Sequence, residues 1–271
     1  MATLAEEYLE TDVGKVQLFR GGEGDPVVYL HSAAGEMAAP PLALEDLADD
    51  HTVVAPVFPG FGESEGIENI DDMEDAVFHI LDVFDRLGLQ APVVTGLSLG
   101  GWMAAEVATR YPDRVSRLVL INPVGLYIDG APITEIFGRT PAELAEDMFA
   151  DQSHPMAQMM HALSEFTGDV GQQIEVPLEL VLPIWKSMSA TARLGWDPYL
   201  HNPKLRKRLH RITSPTLIVH GVEDGILPRA HAEAYATEIP DARLVDMDGA
   251  AHLLVLEKPV EVAQLVREFA G

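Results

Sequence analysis

The sequence predicts an α/β protein in which helices flank a mostly parallel β-sheet and a helical cap is inserted into the core. Two observations support this prediction. Short β-rich runs alternate with amphipathic helical patterns up to about residue 124, and they return after about residue 204. The block between them contains aromatic residues, methionines and prolines but no convincing strand. Because strand–helix alternation builds a parallel sheet covered on both faces, we expect residues 1–124 and 204–271 to form the core and residues 125–203 to form the cap.

The predicted strands are short, β-branched runs bounded by turn residues. Between candidate strands 52–56 and 93–96, apolar residues recur at spacings of three and four from Asp71 onwards, which predicts a helix that Gly88 ends. A second helix ends before Pro112, and a closing amphipathic helix begins at Pro259. The candidate strands are 27–31, 52–56, 93–96, 114–123, 215–221 and 242–249.

The charge balance limits the classes of partner. The chain has 18 basic and 43 acidic residues, a net charge of −25, and such a surface repels nucleic-acid phosphates and anionic lipids. The sequence has no cysteine, which excludes disulfides and thiolate metal ligands. It shows no secretory-signal pattern, and no apolar run reaches the roughly 20 residues that span a bilayer. We expect a cytoplasmic protein that acts on a small molecule, binds neither nucleic acid nor membrane, and uses no metal or cofactor.

A single serine lies among glycines where a predicted strand meets a predicted helix. In VVTGLSLGG, Ser98 follows the strand directly, with Gly96 before it and Gly100 after it. Such a turn forces the serine into a strained backbone conformation and presents its hydroxyl above the sheet edge, and the small neighbours remove the clashes of the turn. The N–H groups that begin the next helix favour negative charge at the same place. We interpret Ser98 as a nucleophile.

A serine hydroxyl needs a base, and the base needs a third group to orient it. His252 is the candidate base, because it follows the last predicted strand after a loop of small residues, and parallel sheets place their sites at such strand ends. The stretch after the preceding strand, 215–221, offers Glu223 and Asp224. Asp224 is the candidate acid, and Asp129, beyond an earlier strand, is its rival. The chain order Ser98, Asp224, His252 is the order expected of a hydrolase with its nucleophile at such a turn.

Two backbone N–H groups should stabilise the oxyanion that forms when the serine attacks a carbonyl group. One belongs to the residue after the nucleophile, Leu99. The other is expected in the loop after an earlier strand. The stretch YLHSAAGE is such a loop, small and glycine-containing, and we assign the second donor to Ala33.

These landmarks together resemble the α/β-hydrolase family. GDPVVYLHSAAG is similar to the family's strand and oxyanion loop, although the family more often has His-Gly where this chain has His31-Ser32. FPGFGESEG is similar to the family's PGFG-S turn, and GLSLGG is similar to its nucleophile turn. HGVEDGILP and GAAHLLVLEKP place Asp224 and His252 at the family's acid and base positions.

The resemblance covers residues of about 20–124 and 205–271, and it implies an eight-stranded, mostly parallel α/β-hydrolase sheet with an inserted cap. It also implies a serine hydrolase that cleaves an ester-like bond through an acyl-enzyme. A serine at position 98 argues against the family's epoxide hydrolases and haloalkane dehalogenases, which use an aspartate there. Lactonase and cofactor-free perhydrolase activities use the same three residues and stay open, as does a non-catalytic binding module on this fold.

The alternative within the family is a C–C bond hydrolase of ring-cleavage products. Such relatives often have tryptophan after the histidine, where this chain has Leu253. The aromatic and methionine residues of the predicted cap favour an apolar substrate pocket, because ligand sites are mostly lined by such side chains. We assign pocket positions to Phe137, Phe166 and Trp185.

Overall fold

The computed structural model describes residues 3–35, 42–167 and 178–271. Within these ranges, eight strands form one sheet in the order β1-β2-β4-β3-β5-β6-β7-β8, which confirms the predicted α/β sheet. The strands are β1 (Ala5–Glu10), β2 (Lys15–Gly21), β3 (Pro26–Leu30), β4 (Thr52–Pro56), β5 (Val93–Leu97), β6 (Arg117–Ile121), β7 (Thr216–Gly221) and β8 (Ala242–Met247).

The sheet is antiparallel at one edge and parallel elsewhere. Strand β2 pairs antiparallel with both β1 and β4, and every other neighbouring pair is parallel. The chain leaves β3 towards β4 on one side, whereas it leaves β5 towards β6 on the other side. In open α/β sheets, ligands bind at the carboxyl ends of strands where the direction of the connections reverses. The loops after β3 and β5 meet at this point.

The helices are α1 (Leu42–Leu47), α2 (Met73–Arg86), α3 (Leu99–Arg110), α4 (Pro141–Met148), α5 (Pro155–Thr167), α6 (Leu178–Gly195), α7 (Arg229–Glu238), α8 (Leu254–Glu257) and α9 (Pro259–Ala270). Helix α2 begins where the Asp72 carboxylate accepts from the N–H groups of Glu74 and Asp75, as expected of an N-cap. None of the described helices is long and apolar enough to cross a membrane.

Both faces of the sheet are buried at its central strands. In β6, Leu118 and Leu120 pack into the core on one face, and Val119 and Ile121 pack into the core on the other. This explains the continuous apolar run in the sequence, because a strand covered on both faces has no polar side. The strand is shorter than predicted at its amino end, since residues 112–114 form a single 3₁₀ turn before it.

Helices α4, α5 and α6 occupy the chain between β6 and β7. The two connections to this segment contact each other: the Gly125 N–H donates to the Leu200 oxygen at 2.9 Å, and the Asn202 N–H donates to the Gly125 oxygen at 3.0 Å. Among the described residues of 125–203, the β-type pairing is the isolated bridge between Gly125 and His201. The segment therefore leaves and re-enters the core at one place, and its treatment as a cap stays a prediction.

Candidate active site

Ser98 lies in the turn between β5 and α3. Its backbone angles are φ 53° and ψ −109°, a conformation that is strained for any residue other than glycine. The Ser98 N–H donates to the Ile121 oxygen at 2.9 Å, and the Ser98 oxygen accepts from the Trp102 N–H at 3.0 Å. Strand β6 on one side and helix α3 on the other therefore hold the strained residue in place.

The glycines beside Ser98 permit very close backbone contacts. A Cβ at Gly96 would lie 2.3 Å from the Gly100 oxygen, and a Cβ at Gly100 would lie 2.0 Å from the Leu30 oxygen. Real Cβ atoms do not approach main-chain atoms so closely, so neither position accepts a side chain without a shift of the backbone. Because Leu30 ends β3, the start of α3 packs directly against that strand end. The loop after β3 is thereby placed next to Ser98.

Three of the predicted site residues form one chain of hydrogen bonds. His252 Nε2 lies 2.8 Å from Ser98 Oγ, and His252 Nδ1 lies 2.8 Å from Asp224 Oδ2. The second oxygen of Asp224 accepts from the N–H groups of Ile226 at 2.8 Å and Leu227 at 2.9 Å. A carboxylate only accepts hydrogen bonds, so Nδ1 carries the ring proton and Nε2 is left to accept from the serine hydroxyl. All three side chains are buried.

The rival acid, Asp129, lies on an exposed part of the chain. The side chain of Asp224 is fully buried, and its carboxylate is the group bonded to the His252 ring. Burial of a carboxylate requires hydrogen-bond donors for its oxygens. The ring and the two main-chain N–H groups of the 226–227 turn supply those donors.

Asn122, which the sequence reasoning missed, links the end of β6 to the histidine loop. Its side-chain amide donates to the main-chain oxygens of Ala251 and His252, each at 3.0 Å. Its side-chain oxygen accepts from the Gly221 N–H at 3.0 Å. Asn122 is fully buried and has a φ of 40°. Its position as a polar residue at the carboxyl end of a buried strand was the available signal.

The loop after β3 is held by its own side chains. The His31 ring donates from Nδ1 to the Ser32 oxygen at 2.7 Å and accepts the Phe58 N–H at Nε2, at 2.9 Å. The Ser32 hydroxyl accepts from the Ala34 N–H at 3.0 Å. Serine at this position, where the family more often has glycine, thus folds back onto the loop and is accommodated.

A cavity beside Ser98 and His252 includes both predicted oxyanion residues in its lining, Ala33 and Leu99. Within the described ranges, no acceptor takes the main-chain N–H of either residue. The rest of the lining is mostly apolar and comes from the core and from the chain between β6 and β7: Ser32, Ala34, Val124, Ile136, Met148, Leu200, Ile226 and Leu253.

Two of the three predicted cap residues, Phe137 and Trp185, lie outside the lining of this cavity. Phe137 packs against Trp196, with ring centroids 5.3 Å apart, and against Tyr199. Trp185 is 64% exposed, and the Phe166 side chain lies outside the described residues. Neither Phe137 nor Trp185 is among the residues that line this cavity, and their assignment to the substrate pocket stays a prediction. The apolar contacts come instead from Ile136, the neighbour of Phe137, and from Met148.

Burial shifts the pKa of histidines outside this hydrogen-bonded chain. The pKa of His79, on α2, is lowered to about 4 by burial, against a smaller opposing effect of Asp82. Burial also lowers the pKa of His220, although Asp224 and Asp246 oppose the shift. These histidines are therefore neutral near pH 7.

In the part of the chain that the structure describes, no group of three or more His, Asp or Glu side chains is arranged to hold a metal ion.

A family model described as the alpha/beta hydrolase fold matches residues 25–259 of this chain. The protein belongs to the α/β-hydrolase family. The match includes Ser98, Asp224 and His252 and the loop after β3. The eight-stranded sheet agrees with it.

This α/β hydrolase is similar to proteins of three reaction classes. It is 27% identical to a dihydrolipoyllysine-residue acetyltransferase component of the acetoin cleaving system from Cupriavidus necator, over 100% of this chain and 70% of that protein. It is 28% identical to a 2-hydroxymuconate semialdehyde hydrolase from Pseudomonas putida, over 94% and 90%. A solved naproxen esterase from Bacillus subtilis has the same fold, with a TM-score of 0.74, 23% identity and coverage of 100% and 92%.

Proposed function

We propose that this protein is a serine hydrolase that cleaves an ester-like bond of a small, largely apolar substrate through an acyl-enzyme. One observation carries the proposal: Ser98 Oγ, the His252 ring and the Asp224 carboxylate form a buried hydrogen-bonded chain beside an apolar cavity. A hydroxyl in contact with an oriented imidazole is the arrangement that makes serine a nucleophile.

In the first half of the reaction, Ser98 Oγ would bond to the carbonyl carbon of the ester while its proton passes to His252 Nε2. Asp224 would hold the ring by Nδ1 and stabilise the imidazolium that forms. The negative charge then develops on the carbonyl oxygen. The N–H groups of Ala33 and Leu99, both at the cavity, are the donors available for it.

In the second half, the carbon–oxygen bond to the leaving group breaks, and His252 gives its proton to the departing alcohol. Water then attacks the acyl carbon as His252 Nε2 takes a proton from it, and the bond to Ser98 breaks to release the acid and restore the hydroxyl. The proton that leaves Ser98 Oγ thus ends on the alcohol, and the proton that His252 takes from water returns to Ser98 Oγ.

The lining of the cavity supports an uncharged, apolar acyl group. Val124, Ile136, Leu200 and Ile226 offer aliphatic surface, and burial of each methylene contributes about 0.8 kcal/mol to binding. Ile136 and Leu200 belong to residues 125–203. We accordingly propose that this segment is a cap over the core formed by 1–124 and 204–271, and that it contributes part of the acyl site.

Hydrolysis of a C–C bond in a ring-cleavage product is the second candidate. The similarity to the 2-hydroxymuconate semialdehyde hydrolase, over nearly the full length of both chains, favours it. The same serine, base and oxyanion donors would serve that reaction, so the contacts around Ser98 do not separate the two substrates. C–C hydrolases of the family often have tryptophan directly after the histidine. This chain has Leu253 there, in the cavity lining, which favours the ester.

A panel of substrates tests the proposal. It contains p-nitrophenyl esters of graded acyl length, lactones, hydrogen peroxide with a carboxylic acid, and a ring-cleavage dienoate, each assayed with the wild type and with Ser98→Ala. We expect the highest kcat/KM on an ester and the loss of that turnover in Ser98→Ala. Efficient turnover of the dienoate with no ester hydrolysis would replace the proposal by the second candidate. No turnover of any substrate would contradict both.

A further inference from the structure

The carboxylate of Glu257 joins two segments that both contribute residues to the lining of the cavity. One of its oxygens accepts from the N–H groups of Ala150 at 2.8 Å and Asp151 at 3.0 Å. The other accepts from the Ala251 N–H at 2.8 Å. We call this set of three hydrogen bonds the Glu257 bridge. Glu257 ends α8, whereas Ala150 and Asp151 follow α4, more than 100 positions earlier in the chain.

Both ends of the Glu257 bridge are next to residues of the site. Ala251 directly precedes His252, the proposed base. Ala150 and Asp151 follow Met148, the last residue of α4, whose side chain lines the cavity. The bridge therefore connects the loop that carries the base to the segment that carries one wall of the acyl site.

Further main-chain contacts follow the same junction. The Leu253 N–H donates to the Met148 oxygen at 3.1 Å, and the Gly225 N–H donates to the Asp147 oxygen at 3.0 Å. The end of α4 thus lies against the loop of His252 and against the loop of Asp224. Glu257 adds side-chain hydrogen bonds to this junction through Ala150, Asp151 and Ala251.

The chemistry of the bridge requires a carboxylate. Three N–H donors face two oxygens, and an ionised carboxylate can accept at both, with hydrogen bonds stronger than those of neutral groups. An amide of the same shape accepts at one end only and presents a donor NH₂ at the other. Glutamine at this position would therefore satisfy one side of the junction and oppose the other.

We propose that Glu257 is a positioning residue that holds the Met148 end of the cap against the His252 loop and so fixes the acyl wall relative to the base. It touches neither the substrate nor the reacting atoms in this role, and it acts through Ala251 and Met148. The proposal deepens the proposed function and rests on it for the identity of the base and of the acyl site.

The matched pair Glu257→Gln and Glu261→Gln tests the bridge. Both changes keep the side-chain shape and remove one negative charge, and Glu261 is exposed on α9. Amide hydrogen exchange at Ala150, Asp151 and Ala251 reports the bridge without any substrate. We expect Glu257→Gln to speed exchange at one or more of these amides on the order of tenfold, the effect of one lost charge-assisted hydrogen bond, and Glu261→Gln to leave all three unchanged.

The kinetic readout uses esters of graded acyl length, with rates corrected for the fraction of enzyme that reacts with a fluorophosphonate. We expect Glu257→Gln to lower kcat/KM by roughly 10- to 100-fold for acyl groups that reach Met148, because small displacements of binding and reacting groups have effects of this size. For acetate esters we expect a smaller loss, and most of the difference should appear in KM.

Unchanged exchange at all three amides, an equal loss for every acyl length, or the same loss in Glu261→Gln would overturn the proposal. A Glu257→Gln protein that melts like the wild type but shows the length-dependent loss would support it. If the wild type hydrolyses no ester, the proposed function fails, whereas the exchange measurement still decides whether Glu257 joins the two segments.

Discussion

The side-chain amide of Asn122 donates to the main-chain oxygen of His252 at 3.0 Å, so the end of β6 holds the loop that carries the imidazole. The same amide donates to the main-chain oxygen of Ala251. The side-chain oxygen of Asn122 accepts from the N–H group of Gly221 at the end of β7. One side chain thus fixes the spacing between two strand ends and the histidine loop. The position of the ring relative to Ser98 depends on this spacing.

If the proposed ester hydrolysis holds, Asn122→Asp should lower its kcat without abolishing the fold. The carboxylate keeps the acceptor for Gly221 but faces the oxygens of Ala251 and His252, which leaves two carbonyl groups without their donor. A buried group that loses its partner costs about 1–3 kcal/mol, so we expect a comparable fall in the free energy of unfolding. Asn69→Asp is the control, because Asn69 is exposed. If both variants keep wild-type kcat and stability, Asn122 does not position the loop.

Asp224→Asn should cost far more activity than Asp129→Asn. The amide permits the wrong ring tautomer, and the corresponding change in serine proteases lowers kcat by about 10⁴. Asp129 is exposed, so its change should have little effect. The measurement is kcat on the best p-nitrophenyl ester for both purified variants. The reverse result would assign the acid to Asp129 and leave the fold unaffected.

Ile136→Ala should shift the preference among acyl lengths towards longer groups. Ile136 lines the cavity and is 4% exposed, so its truncation enlarges the acyl site. We expect the ratio of kcat/KM between long and short esters to change about tenfold, as differences of one or two methylenes do. Ile133→Ala, on the same segment but outside the described lining, should leave the ratio unchanged, and so should Trp185→Ala. Equal profiles in all three variants would remove Ile136 from the acyl site.

His79 should make the protein less stable in acid. Its pKa is about 4 in the folded protein because of burial and about 6.5 in an unfolded chain. The unfolded state therefore binds the proton first as the pH falls. The contribution of His79 to stability is complete above pH 6.5 and declines by about 3 kcal/mol as the pH falls towards 4.

Urea unfolding of the wild type and of His79→Leu at several pH values between 7 and 4.5 measures this contribution. We expect the free energy of unfolding of the wild type to fall more steeply than that of His79→Leu. Leucine is close in size to the imidazole and does not titrate, so the comparison isolates the proton. Parallel curves would show that His79 is not responsible for acid sensitivity.

Local signals made the centre of the site predictable. A Cβ at Gly96 or Gly100 would lie 2.3 or 2.0 Å from a main-chain oxygen, and the resulting glycine pattern around Ser98 is visible in nine residues of sequence. Asp224 and His252 were found because each lies in the loop that follows a strand, and parallel sheets gather their strand ends. The order of these landmarks was enough to predict both the fold and the hydrogen-bonded chain's members.

Contacts between distant segments were not predictable in this way. Asn122 and His252 are 130 positions apart, and Glu257 contacts a segment that is 107 positions away from it. Composition alone also could not orient the segment 125–203. Aromatic side chains predict an apolar environment. They do not predict which of two adjacent residues, Ile136 or Phe137, faces the cavity, because adjacent side chains point in different directions from the backbone.

The reaction of Ser98 with a fluorophosphonate is the most direct test of the proposed nucleophile. Intact-mass measurement should show one adduct on the wild type, and peptide mapping should place it on Ser98. Ser98→Ala, folded by circular dichroism, should show none, and it should retain no more than the residual catalysis of the oxyanion donors and binding. An adduct on another residue, or ester hydrolysis at the wild-type rate by Ser98→Ala, would contradict the account.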